Sequence, residues 1–392
     1  MPPILLGTLT LAVLGTLTLA VLGTLTLAVL YTATTQSTHA LHTSPLPVAL
    51  ILLALGYHLF TPALAPSAPE TPATRTSAPQ HSQRFPLPSW RAAGGALALM
   101  GAGAWSAHAG AWSAAAVGAL VLALACGIEL ASPALYSILS CAIPVAMAAH
   151  LAVTGHLISL VQLGAFVPLS LLYIGIPMSV CLHRYFAHQA FRTSRPVQFV
   201  LGVVACLAWQ GGPLWWAIMH LRHHKHCDTP RDPHSAAQQG TVYAFIGWMA
   251  NPDNYRAETV DAYRELDAGL RVPEMLLVQK LNPLPPILLC LVASHCLGYA
   301  NMVWCVLGPM LNARLTTLLF NVHFHPREDA THACRAVDDA RVLAQLVGES
   351  RHRDHHLWPR RARRKDWDVP WWLTLSWMQA TGLVWDCKYT HV

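Results

Sequence analysis

Met219-His220-Leu221-Arg222-His223-His224-Lys225-His226 is the stretch on which the reading of this chain turns. His220, His223 and His224 stand at i, i+3 and i+4, which is one face of a helix. That face presents three imidazoles to a single point, and imidazole is the commonest protein ligand of transition metals. His352-Arg353-Asp354-His355-His356 repeats the spacing, and His183-Arg184-Tyr185-Phe186-Ala187-His188 adds an H-x4-H pair. Asn321-Val322-His323-Phe324-His325 stands between the second and third boxes. A histidine-rich loop accounts for one such run, but not for three boxes separated by long apolar stretches. His183 and His188 are five apart, about 140° around an α-helix, so they suit two metals or a helix that ends between them.

The apolar stretches define the frame. Charged residues are 11% and hydrophobic residues 54% of the 392, whereas about 25% charge is ordinary for a soluble protein. No Asp, Glu, Lys or Arg occurs from Leu130 to Leu182. At about 20 residues per crossing this run holds two transmembrane helices, with Thr154-Gly155-His156 as the turn. The pattern predicts spans near 134–153, 157–181, 284–299 and 301–320, with Arg314 the one charge in the second hairpin. Phe199–Ile218, apolar and Trp-rich, is expected to lie at the interface or to re-enter, because a full span there would put the first two boxes on opposite faces. The expected fold is an all-α integral membrane protein with four core transmembrane helices and a helical cap holding a two-metal site. Of 25 Lys+Arg only Arg75, Arg84 and Arg91 precede residue 132, which places the boxes on the cytoplasmic or equivalent side. These cations interleave with acids between spans, so the bilayer surface or an acidic protein is the expected partner and nucleic acid is not.

Residues 7–30 are three copies of Gly-Thr-Leu-Thr-Leu-Ala-Val-Leu. A period of eight keeps no constant helical face, and no basic start or Arg-rich character marks a signal or transit peptide. The expected organisation is a low-complexity apolar region (1–64), a Pro/Ser/Thr-rich linker (65–91), an extra transmembrane segment or segments (92–131) and the box-bearing domain (132–392). The ten cysteines show no C-x2-C pair and read as small buried hydrophobes, not as disulfides or zinc ligands.

His183, His188, His220, His223, His224, His325, His352, His355 and His356 form the candidate ligand set. Nine imidazoles exceed the needs of one ion, so two metals are implied. His226 and His323, two residues from a ligand, are expected to point away. His234 and His332 stay open. Asp228, Asp232, Glu349 and Asp354 are the nearest carboxylates in sequence, as partners for ligating rings or as ordinary surface contacts.

From about Ser132 onward the chain resembles the membrane fatty acyl desaturases, in particular the Δ9 acyl-CoA desaturase-like branch. The resemblance rests on His183…His188, Gln210-Gly211-Gly212-Pro213-Leu214-Trp215-Trp216, His220…His224, Asp228-Thr229, Asp232-Pro233-His234-Ser235, Asn321…His325 and Gly348-Glu349…His352…His355-His356. It implies two Fe ions, O2 as co-substrate, a fatty acyl substrate and an Asn321 that reaches one iron through water. It also implies desaturation in lipid biosynthesis, with a lipid hydroxylase on the same site or an inactive metal-binding membrane protein as alternatives. Breaking an unactivated C–H bond requires an oxidant that side chains lack. Trp209, Gln210, Trp215 and Trp216 are candidate walls of an acyl tunnel, or for the tryptophans an interfacial belt. No His-Pro-Gly-Gly haem motif is present, so electrons are expected from a separate donor such as cytochrome b5 or ferredoxin. Arg360, Arg361, Arg363, Arg364 and Lys365 are a candidate membrane anchor or dock for that donor. The third box carries Arg351 where the resembling enzymes have an aromatic residue. Where acyl-CoA enzymes hold CoA with Asn and Arg-Asp, this chain has Gly211, Ile218 and Met219, none of which can pair with a phosphate through its side chain. Endoplasmic reticulum, plastid and bacterial plasma membranes all remain compatible homes.

Overall fold

Ser132-Pro133 starts the first helix long enough to cross a membrane. The Ser132 hydroxyl accepts from the Leu135 amide (3.4 Å) and Pro133 opens the helix that follows, the arrangement favoured where a missing N–H costs nothing. The computed structural model describes residues 114–255, 262–327, 334–365 and 367–389. The octapeptide repeat, the 46–64 apolar run and the 65–91 linker lie outside the described residues. Helix α1 is Ala114–Ala131, α2 is Pro133–Val153, and α3 is Leu160–Tyr173. The described residues fall into two units, 146–161, and 114–145 with those from 162 onward. In the first, α2 ends in a turn at Thr154-Gly155-His156, where Gly155 has φ 81° and the Thr154 hydroxyl donates to the His150 carbonyl (2.8 Å). Every histidine box lies in the second unit.

Helix α3 runs on as a π-helix, Ile174–Ala187. Leu160–Ala187 (28 residues), Pro133–Val153 (21) and Tyr299–His323 (25) are each long and apolar enough to cross a membrane. Two further pairs of helices are sharply bent. Helix α4, Arg195–Ala205, and helix α5, Pro213–His226, belong to a pair bent by 74°. The bend falls at Trp209 (φ 55°) and Gly211 (φ 83°), so the 199–218 stretch is broken rather than a straight crossing. Helix α6, Pro273–Lys280, and helix α7, Leu284–Leu297, are bent by 61°. At 14 residues α7 is shorter than the expected 284–299 span and reaches crossing length only with α6. Helix α8, Gly308–His323, completes the Tyr299–His323 segment. Val167 and Leu172 on α3 and Leu288 and Val292 on α7 are exposed, as a lipid-facing surface requires. The fold is an all-α membrane architecture; among the described residues the only sheet is Arg192–Thr193 paired antiparallel with Val384–Trp385.

Arg314 is buried in α8 and donates from Nη2 to the Ser137 hydroxyl (2.8 Å) of α2. A charge inside an apolar helix persists where polar partners replace water. A stronger tie joins the first box to the C-terminal segment. Arg184, beside His183, makes a two-pronged ion pair with Asp368 (2.7 and 2.9 Å), and both side chains are fully buried. Gly348 (φ +75°) lies against this pair: a Cβ there would meet Arg184 Nη2 at 2.5 Å. The same glycine presents Glu349 to the histidines, so its conformational freedom and lack of a side chain are both used.

Removing one partner of such a pair strands a buried charge. Asp368→Ala is expected to lower unfolding stability by about 3–5 kcal/mol, read as a fall in thermal midpoint of the detergent-solubilised protein. An unchanged midpoint would show that Arg184 is held by other groups.

Candidate metal centre

Four elements bring the histidines together. The π-helix winds with i→i+5 hydrogen bonds, and the His188 amide donates to the His183 carbonyl (3.2 Å) as the helix ends. Residues five apart therefore come to one side, and of the two arrangements open from spacing, the helix ends between the pair. Helix α5 carries His220, His223 and His224, the end of α8 leads into His325, and helix α9, His352–Leu357, carries the third box.

All nine candidate ligands converge, in two groups. His183, His188, His220, His224 and His355 have ring nitrogens within 4.8 Å of one another. His223, His325 and His356 form the second group together with Cys227, and His352 Nε2 joins it 3.2 Å from His325 Nε2. The expectation that His220, His223 and His224 aim at a single point is corrected. His220 and His224 stack along the helix at i, i+4, while His223, a residue before His224, turns into the second group. The rings of His224 and His356 stack at 4.2 Å where the groups meet.

Three carboxylates set the ring tautomers. Nδ1 of His183 lies 3.0 Å from Glu349 Oε1, and Nδ1 of His352 lies 3.4 Å from Oε2 of the same carboxylate. His223 Nδ1 pairs with Asp232 (2.9 Å) and His325 Nδ1 with Asp228 (3.2 Å). A ring that donates from Nδ1 keeps a bare lone pair on Nε2. Burial pushes His352 down to about 3 and His355 and His356 well below the ordinary imidazole value, which keeps them neutral. Burial raises Asp228, but His325, the Arg335 amide and the Ser235 hydroxyl together outweigh this and bring it to about 2.

The Nε2 atoms of the two groups face one another at close range. Nε2–Nε2 separations are 2.8 Å for His183–His355, 2.9 Å for His188–His220, 3.0 Å for His224–His355 and 3.2 Å for His223–His325. His356 Nε2 is buried with no hydrogen-bond partner. Two ligands at right angles, about 2.1 Å from one ion, stand about 3.0 Å apart. The crowding therefore fits a cation in each group.

The remaining candidates are placed as follows. Asn321 donates to the Ala244 carbonyl (3.1 Å). Asp354 binds Arg361 and Lys365 rather than a histidine. Trp216 stacks on His220 (4.8 Å), and its indole N–H donates to Gln210 Oε1 (3.2 Å), whose amide in turn donates to Thr317. Trp215 packs away, on Trp248 and Tyr255, and Trp209 donates to the Tyr136 hydroxyl (2.8 Å). His226 belongs to neither group, His323 pairs with Asp339 (2.8 Å), and Arg351 reaches Asp338 (3.7 Å). His332 lies outside the described residues.

Two expectations are corrected. Arg361 and Arg364 are buried, so the basic run is not a continuous surface patch. Cys227 and Cys334 form a disulfide, which no local spacing announced because 107 residues separate them. Sequence reasoning also left His234 open. It is buried 4.4 Å from the His223 ring and beside Asp232, and its place two residues after Asp232 was the available signal.

Glu349→Gln keeps the shape but removes the charge facing both His183 and His352. Metal affinity is expected to fall about 10- to 100-fold, measured by competition with a chelator of known strength; unchanged affinity would remove Glu349 from any role in orienting the rings.

Residues 159–375 match the family model described as fatty acid desaturase. The hex-5-enoyl-[acyl-carrier protein] acetylenase of Moorena producens is 29% identical over 260 residues, covering 59% of this chain and 78% of the relative. The sn-1 stearoyl-lipid 9-desaturase of Anabaena variabilis is 28% identical over 219 residues, 55% of this chain and 79% of the relative. The icosanoyl-CoA 5-desaturase of Limnanthes douglasii is 24% identical over 217 residues, 54% and 60% of the two. With more than half of its length inside the family and its histidine boxes folded into two metal-capable clusters, the chain belongs to the fatty acid desaturases and is a membrane-associated fatty acyl desaturase.

Proposed function

We propose that the chain inserts a cis double bond, of Δ9 type, into a long-chain acyl group, with two irons held by the nine histidines and O2 as co-substrate. The observation that carries this is the buried pair of imidazole clusters against the Trp216–Gln210–Thr317 wall. When bound, the metals supply the oxidising power that an unactivated methylene requires. The protein's share is positional. Trp216 lies flat on His220, and Gln210 locks that indole to Thr317 of α8. An acyl chain passing this wall would present neighbouring carbons to the first cluster.

Iron is preferred over zinc because zinc favours closed four-coordinate sites, often with cysteine, while five imidazoles crowd the first cluster. Names of relatives support Δ9 chemistry on lipid-bound acyl groups, as in the sn-1 stearoyl-lipid 9-desaturase. Asn321 reaching an iron through water remains part of this reading. Electrons would come from a separate acidic protein such as cytochrome b5 or ferredoxin. A cavity of about 430 Å³ lined by Arg222, Lys225, Glu265, His224 and His356 opens toward both clusters and supports an approach there, with Arg222 the cation not paired to Glu265.

The acyl carrier follows from the same segment. Ile218 and Met219 are buried. Beside Gly211 and Gly212 lies a cavity of about 130 Å³ lined by Glu129, Trp215, Tyr255, Tyr263 and Gln279, with no cation. A phosphate-rich CoA wants charge-assisted hydrogen bonds, so an acyl group on a glycerolipid or other carrier suits this lining better.

Expression in a desaturase-deficient yeast, followed by gas chromatography of fatty acid methyl esters, is expected to yield Δ9 monounsaturated products. Purified protein should hold about two irons per chain. His223→Ala or His355→Ala should lose iron and activity, and His226→Ala should lose neither. A damaging His226→Ala would overturn the ligand assignment.

Offered stearoyl-CoA and a stearoyl-phospholipid separately, with a reductant, the reconstituted enzyme is expected to convert the lipid. Rapid turnover of the CoA ester alone would reverse the reading of the carrier.

A further inference from the structure

The second histidine group differs from the first in one respect: it is stapled by sulfur. Cys227, which caps α5 directly after the second box, is bonded to Cys334, with Cα atoms 5.1 Å apart. The next residues in each segment are joined too, since Asp228 Oδ2 accepts from the Arg335 amide (2.9 Å). That same oxygen holds His325 Nδ1 (3.2 Å). Cys227 Sγ lies 3.7 Å from His325 Nδ1, and Cys334 Sγ lies 3.5 Å from His356 Nδ1. Each metal-capable group that contains a cysteine contains Cys227 and belongs to this half, while the five-histidine group contains none.

We propose that Cys227 and Cys334 are a reversible thiol–disulfide modification site that governs metal retention in the His223–His325–His352–His356 half of the centre and leaves the five-histidine half occupied. The inference rests on the two-metal reading above. Cys227 is buried and Cys334 half-buried, so a reductant reaches the bond from the Cys334 side. A thiolate of a small dithiol attacks Cys334 Sγ and Cys227 leaves as thiolate. The second thiol of the reagent then displaces Cys334, so the dithiol leaves as a disulfide and two cysteine thiols remain. In the reverse direction the two thiols give two electrons and two protons to hydrogen peroxide, which becomes two waters. Opening the bond leaves Asp228 tied to the 334–335 segment by a hydrogen bond alone. Asp228 Oδ1 keeps the Ser235 hydroxyl (2.7 Å), but Oδ2, the oxygen on His325, then rests on a segment no longer covalently fixed, and loosening of such an orienting partner weakens metal binding about 10- to 100-fold.

The test uses the full-length, metal-loaded protein in detergent. One portion is reduced with a phosphine, which becomes phosphine oxide with an oxygen atom from water as the S–S bond takes up two electrons. Both portions are exchanged into chelator-containing buffer, alkylated with N-ethylmaleimide, and analysed by peptide mass spectrometry and metal counting. Untreated protein should carry Cys227 and Cys334 unlabelled and keep about two metals. Reduced protein should carry both labelled and keep about one. An unalkylated reduced portion, reoxidised with peroxide and resupplied with iron, should regain the second. The Cys227→Ser/Cys334→Ser double variant should hold about one metal with or without phosphine, which separates the effect from chelation by the reagent. Retention of two metals in fully labelled protein, equal loss of both, or labelled cysteines in untreated two-metal protein would each overturn the inference while leaving the two-metal reading intact. Absence of metal from every sample would overturn that reading and this inference together.

Discussion

Eight imidazole rings meet through Nε2 atoms about 3 Å apart, with His356 beside them, and the rest of the structure is arranged to make that tolerable. Facing lone pairs repel, and burial removes the solvent that would otherwise protonate or solvate them. Three carboxylates fix the rings from behind. Glu349 serves His183 and His352 together, while Asp232 and Asp228 serve His223 and His325. The charges of the acids are close to these four rings yet on the far side of them, so each of the four turns its Nε2 inward. A centre built this way is preorganised for cations and poor at holding anything else.

That arrangement needs a frame that does not yield. The Arg184–Asp368 pair locks the first box against the C-terminal segment, with Gly348 leaving room for the guanidinium. Arg314 ties α8 to α2 through Ser137. The π-winding before His188 brings the first box to one side, which an α-helix of the same length would not do. The proposed acyl wall is drawn from the same parts. Trp216 is one turn before His220 on α5, so the helix that supplies ligands also supplies the surface beside them.

Charge is spent sparingly and mostly inward. The basic run after the third box looks, in sequence, like a surface patch. In the fold Arg361 is claimed by Asp354, and Arg364 is buried behind Glu349 and Asp368. Outward-facing cations near the centre are instead Arg222 and Lys225 of α5, at the mouth of a cavity that reaches His224 and His356. Arg351, alarming beside a metal ligand when read linearly, points to Asp338.

The local signals were legible: histidine spacing, charge-free runs and turn residues are properties of neighbouring positions. His220–His224 announced an i, i+4 pair, Leu130–Leu182 announced a helical hairpin, and Thr154-Gly155-His156 announced its turn. Those features determined an all-α membrane protein with several metals' worth of imidazole. What only the tertiary structure decided depends on winding and on distant contacts. The division into groups of five and four follows from the π-helix and from the 100° offset between His223 and His224 on a helix. The choice of Asp228, Asp232 and Glu349 over Asp354 follows from which carboxylates the packed loops carry to a ring. The Cys227–Cys334 bond joins positions 107 residues apart. Spacing along a chain carries no information about such meetings, because they are set by how the apolar helices pack and not by the residues in between.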